Sequence, residues 1–84
     1  MFEIVLERVA EKELRRLSYE VHDRVIEGIS TLATNPRPPG AKKLSGSTNN
    51  WRIRVGQYRV LYEIADTIRV VRVYRVRHRL DVYR

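Results

Sequence analysis

The sequence contains no cysteine. This excludes a disulfide framework, a thiolate-bound metal and a cysteine nucleophile, and it fits a reducing, cytoplasmic setting. Histidine is scarce too. His22 and His78 stand far apart, and without cysteine they form no zinc-binding set. The glycines make no dinucleotide-binding fingerprint. Gly40 and Gly46, with Ser47 and Thr48, lack the spacing and the following lysine of a phosphate loop. No apolar run approaches the ~20 residues of a membrane span. The stretch from Met1 to Leu14 mixes charges and has no apolar signal core. The sequence therefore predicts no metal, no cofactor and no membrane partner.

What is present is small and basic. At 84 residues, a single domain spanning 1–84 is expected. It has room for one core and none for a large enclosed cofactor. Apolar residues reach 43%, too many for a disordered basic tail. The formal charge of +7 is unevenly spread. Residues 1–36 hold 5 basic and 7 acidic residues, a balance of −2. Residues 37–84 hold 12 basic residues against Glu63, Asp66 and Asp81, a balance of +9, and 10 of the 12 are arginine. The planar guanidinium fork suits phosphate, and a one-sided basic surface draws in polyanions. Charge alone points to a nucleic-acid or anionic-protein partner.

Periodicity sets the expected elements. Phe2 to Glu7 reads as a partly buried strand. A helix is expected from about Val9 to Leu17, with Ala10, Leu14 and Leu17 on one face. Ser18 can cap a second helix, whose stripe is Val21, Val25, Ile29 and Leu32. Asn35-Pro36-Arg37-Pro38-Pro39-Gly40 ends that helix. Ala41 to Asn50 reads as a polar loop. From Trp51 the period is two. Gly56-Gln57 is a hairpin turn with glycine where a positive φ is needed, and Asp66-Thr67 is a second turn. Ile68 to about Val76 is a third strand, too apolar on both faces to assign a core side. The order β-α-α-β-β-β predicts an α+β fold, an antiparallel meander sheet with a two-helix hairpin packed on one face.

The two-residue turn pairs Val55 with Tyr58 and Arg54 with Arg59. Arg52, Arg54 and Arg59 then share one face, opposite Trp51, Tyr58 and Tyr62, which go to the core. Like charges directly opposite each other destabilise a sheet, and a waiting anion would explain them. The plainer reading is that these guanidiniums splay into solvent or find Glu63. Arg75, Arg77, His78, Arg79 and Tyr83 extend the basic set to the chain end, where Tyr83 could stack on a base or anchor the terminus.

Several segments carry a family likeness: Pro36-Arg37-Pro38-Pro39-Gly40, Lys42-Lys43-Leu44-Ser45-Gly46, Trp51 through Ile64, and the ending His78-Arg79-Leu80-Asp81-Val82-Tyr83-Arg84. In order, they resemble the RelE/ParE superfamily of toxins from type II toxin–antitoxin modules. The likeness covers nearly the full chain, since the strand-helix-helix start fits as well. The RelE branch cuts messenger RNA in the ribosomal decoding site, so the resemblance implies a ribosome-dependent, metal-independent endoribonuclease. Its implied catalytic set is Arg52 and Arg54 on the first hairpin strand, Arg59 on the second, and Arg79 and Tyr83 near the chain end. This set is typically incomplete in the gyrase-poisoning ParE branch. Arg77 stands where the family often has glycine. Lys42, Lys43, Arg75, Arg77 and His78 are the implied RNA contacts. The implied partners are the ribosome, messenger RNA and a cognate RelB-like antitoxin, the last in a toxin–antitoxin hetero-oligomer. The alternatives are a ParE-like gyrase inhibitor without nuclease activity and a non-catalytic nucleic-acid-binding module.

Overall fold

Strand β1 (Glu3–Leu6) leads into helix α1 (Arg8–Arg15) and helix α2 (Tyr19–Thr31). After the proline-rich connection come a two-residue strand β2 (Lys42–Lys43) and then β3 (Asn50–Val55), β4 (Tyr58–Ala65) and β5 (Val70–His78). The computed structural model describes residues 1–81. The strands form one sheet in the order β1-β5-β4-β3-β2. β1 runs parallel to β5 and every other pairing is antiparallel. The expected α+β meander with its helices on one face is what forms. The segment expected as a loop from Ala41 to Asn50 contributes the extra edge strand, because Lys42 and Lys43 pair with Arg52 and Trp51.

Both helices turn their apolar stripes to the same side of the sheet. Ala10 and Leu14 of α1 join Val25, Ile29 and Leu32 around the sheet residues Ile53, Val60, Tyr62, Ile64, Val71, Val73 and Val76. α1 ends at Arg15, before the expected Leu17, which still packs against this core. Ser18 is the N-cap of α2 through its backbone: its carbonyl accepts the His22 N–H at 2.8 Å, and its side chain makes no capping bond. Gly28 lets α2 approach β3 closely, since a Cβ there would lie 2.9 Å from Cγ2 of Val55. Gly56 has φ +59 in the hairpin turn, the left-handed region that glycine enters without steric cost. Trp51 and Tyr58 are half-buried against the core and Tyr62 is fully buried, as the strand parity predicts.

β5 explains why its core side was unreadable. Its register against β4 shifts between Leu61 and Tyr62: Leu61 faces Arg75 and Tyr62 faces Val73, leaving Tyr74 as an extra residue. Such a bulge moves every later side chain to the opposite face. The buried residues accordingly run 71, 73, 76, a step of two and then a step of three. The strand also starts later than expected. Ile68 and Arg69 belong to the turn, and Arg69 takes a left-handed φ of 59.

The proline-rich connection is anchored at the far end of the sheet from the hairpin turn. The buried Tyr62 hydroxyl donates to the Pro36 carbonyl at 2.7 Å, and burial pushes its pKa up to about 12. Arg37 grips Asp66 with two hydrogen bonds, of 3.1 and 2.8 Å, and lies 5.3 Å from the centre of the Trp51 ring. Among the described residues, no helix is long and apolar enough to cross a membrane.

Candidate nucleic-acid interface

The sheet face turned away from the helices collects the C-terminal charge. Arg54 of β3 faces Arg59 of β4, as the hairpin turn requires, and Arg59 in turn faces Arg77 of β5. Directly opposed residues hold their Cβ atoms about 5 Å apart. Three arginines therefore stand in one row across three strands. The bulge at Tyr74 is what brings Arg77 into it. One step along the strands, Lys42, Arg52, Leu61 and Arg75 make a second row.

The chain end closes the first row. Beyond β5, the Arg79 N–H donates to the Gln57 carbonyl at 2.8 Å, which ties the segment to the hairpin turn. Arg79 thereby joins Arg54, Arg59, Gln57 and Tyr58 around a cavity of about 170 Å³. A neighbouring cavity of about 300 Å³ is lined by Pro39, Gly40, Lys42, Arg52 and Arg54. Arg54 borders both. Arg52 is only 9% exposed, whereas Arg54, Arg79 and Lys42 are exposed. Neither Arg54 nor Arg79 has a carboxylate in ion-pair contact among the described residues. Fixed positive charge of this density suits a phosphate group, which can accept several guanidinium N–H bonds at once.

The other described candidates lie on the opposite face or are engaged by neighbours. Lys43 pairs with Trp51 and so takes the helix-side parity. His78 pairs with Tyr58 on that same side, the ring centres 5.3 Å apart and the planes at 85°. It does not join the arginine row. Arg75 shares the face but is committed to Glu13 of α1, donating to its carboxylate from Nε at 3.3 Å and from Nη2 at 3.0 Å. Arg77 is partly engaged: its Nη2 donates to the Asp81 carbonyl at 3.1 Å, and its Nε lies 4.0 Å from Glu13. Tyr83 lies outside the described residues.

Glu13 is the residue that strand and helix periodicity missed. Where β1 ends, the edge of β5 is open, and the Glu13 carboxylate accepts the Val76 N–H there at 2.7 Å. Glu13 is one of several charges on the polar face of α1, and nothing in its spacing marks it out. Glu63, the expected alternative partner for the arginine cluster, pairs with Arg72. Among the described residues, no cluster of metal-ligating side chains occurs.

The fold defines a small α+β protein whose sheet carries its helices on one face and arginine rows on the other. The chain belongs to the ParE toxin family of type II toxin–antitoxin systems, whose family model, described for parDE, matches residues 4–83. It is 29% identical over 86 residues to a protein of Methanocaldococcus jannaschii named as toxin RelE1, covering 99% of this chain and 96% of that one. The fold is similar to that of the archaeal RelE–RelB complex from Pyrococcus horikoshii OT3, with a TM-score of 0.83, 24% identity, and coverage of 93% of this chain and 94% of that one. It is also similar to the toxin–antitoxin complex RelBE2 from Mycobacterium tuberculosis, with a TM-score of 0.81, 26% identity, and coverage of 92% and 96%.

Proposed function

We propose that this toxin is a ribosome-dependent messenger-RNA endonuclease that arrests translation in the cytoplasm. The observation that carries this reading is the row Arg54–Arg59–Arg77, with Arg79 completing a cavity at its hairpin end. Cleavage without a metal uses the neighbouring 2′-hydroxyl. Its oxygen bonds to phosphorus, the P–O5′ bond breaks, and the products are a 2′,3′-cyclic phosphate and a 5′-hydroxyl. The proton leaves the 2′-oxygen for a base, and the departing 5′-oxygen gains one. Negative charge builds on the phosphorus oxygens in the transition state, where prearranged guanidiniums act most strongly. Arg59, at the centre of the row, is assigned to that charge. Arg52, Arg54 and Lys42 orient the strand, and Arg79 closes over it. Arginine is a poor general base because it stays protonated at any physiological pH. In this reading the protein supplies electrostatics and orientation, Tyr83 supplies stacking or a proton near the chain end, and the ribosome presents the strand.

The RelE–RelB and RelBE2 complexes among the similar structures support a RelB-like antitoxin as partner, held in a hetero-oligomer. A segment carrying carboxylates would neutralise the arginine face, and its binding would raise thermal stability.

The matching family model is that of ParE, which favours a second reading: a gyrase inhibitor that leaves RNA intact. Primer extension on messages from expressing cells, with and without translation, separates the two. Codon-positioned breaks that need ribosomes support the nuclease, and DNA damage with intact messages overturns it. R59A should lower ribosome-programmed cleavage about 100-fold while the chain remains folded.

A further inference from the structure

We propose that His78 is a positioning residue: from the helix-side face of the sheet it holds the turn that delivers Arg79 to the arginine cavity. This rests on the reading of that cavity as an RNA site. The turn spans residues 78–81, where the Asp81 N–H donates to the His78 carbonyl at 2.9 Å. Inside it, the Leu80 N–H donates to Nδ1 of His78 at 3.2 Å. A side chain that accepts the N–H two residues on is the device asparagine and aspartate use to fix turns. Here an imidazole does it. The ring itself is steadied edge-on against Tyr58.

The consequence is directional. The bulge at Tyr74 puts His78 on one face and Arg77 on the other, and the chain then crosses back so that Arg79 reaches Arg54 and Arg59. Arg79 is fixed at its own backbone by the bond to Gln57. The next backbone donor is fixed by His78. Without that acceptor, the backbone bonds at residues 79 and 81 would be the ones left to hold the segment among the described residues, and the Arg79 side chain would sample more positions.

Nδ1 can accept only in the neutral ring, with the proton on Nε2. A ring protonated on both nitrogens would turn Nδ1 into a donor facing the Leu80 N–H, so the contact belongs to the neutral ring alone. The groups facing His78 are Glu13 and Arg16 of α1, Tyr58 of β4, and Arg77 and Asp81 of its own segment, around a cavity of about 190 Å³.

The test uses the full chain and three variants, His78→Ala, His78→Asn and His78→Gln. Asparagine places an oxygen where Nδ1 stands, and glutamine places it one carbon too far. Backbone NMR would follow hydrogen exchange at the Leu80 amide at one fixed pH. Affinity would be read with a short 2′-O-methyl RNA that cannot be cleaved, at fixed salt. The Leu80 amide should be protected in wild type and H78N and unprotected in H78A and H78Q. RNA affinity should fall about three- to tenfold in H78A and H78Q and be restored in H78N, with unchanged thermal midpoints. A Leu80 amide that behaves alike in wild type and H78A, or an H78N as weak as H78A, overturns the proposal. A full Leu80 response with no RNA bound by any variant supports the positioning role and removes RNA as the ligand.

Discussion

The open face of the sheet has two ends built from similar residues in opposite arrangements. Toward β1 and the β4–β5 turn, the register sets arginine against carboxylate. Arg72 faces Glu63, bonds to it, and also reaches Glu7 at 3.0 Å, while Arg37 grips Asp66 nearby. Toward the hairpin turn, the register sets arginine against arginine, Arg54 to Arg59 to Arg77. The first end also anchors the proline-rich connection through Tyr62 and Arg37. It is the structural end. Like charges at the other end repel and concentrate positive potential, an arrangement that a bound anion would relieve.

The largest expected effect comes from making the second end resemble the first. Arg54 is exposed and faces Arg59, so Arg54→Glu would place opposite charges across the strands. Cleavage should drop by at least about 100-fold, while unfolding free energy should rise by ~0.2–1 kcal/mol. Activity assays on programmed ribosomes beside urea denaturation would measure both. A variant that loses stability and activity together would mean that the arginine row serves the fold.

Glu13→Ala comes next, because it strips the arginine end of its one anchoring carboxylate among the described residues. The Val76 N–H loses its acceptor and Arg75 its partner. A loss of about 1–3 kcal/mol is expected in urea denaturation. Glu13→Gln keeps an acceptor for the N–H and should lose less. Equal losses in both variants would place the whole contribution in the charge.

The hairpin half of this arrangement was legible in the sequence, and the β5 half was not. A two-residue turn at Gly56-Gln57 leaves only one register, so the facing of Arg54 and Arg59 follows from the turn and the period of two. Arg77 and His78 could not be placed that way. Strict alternation from Val71 and Val73 would send Arg77 to the core side and His78 to the arginines, and the bulge at Tyr74 reverses both. The one available signal was the spacing of Val71, Val73 and Val76, which breaks the period of two. The Arg75–Glu13 pair joins residues 62 apart in the chain, and no local pattern reports it. Lys42–Lys43 is too short a strand to have a period. The roles assigned to Lys43 and His78 from the family likeness presumed a common face that the register does not provide, and Arg75 shares that face but is bound to Glu13.

Glu63→Arg performs the reverse conversion, giving the structural end the like-charge register of the other. Arg72 would then face an arginine and keep only Glu7. Both side chains are more than a third exposed, at 47% and 37%, so screening keeps the cost to about 1 kcal/mol. It should be halved or more in high salt. Cleavage should be unaffected, which distinguishes this end from the arginine end.

The smallest effect, and the finest test of the contrast, is the acid response of Asp66. Its hydrogen bond from Arg37 holds the carboxyl below the usual carboxylate range. A depressed folded-state pKa contributes stability above the unfolded value and loses it as pH falls through the folded one. The wild type should therefore shed this contribution below about pH 4, whereas Asp66→Asn should lack it at every pH. Thermal midpoints of the two proteins should converge on acidification and separate again toward neutrality. The Asp66 side chain is about half exposed, at 53%, so the gap should be small and should shrink with salt. An equal gap at all pH values would mean that Arg37 holds the connection by stacking on Trp51 alone, and the pairing of charges at this end would be incidental to its stability.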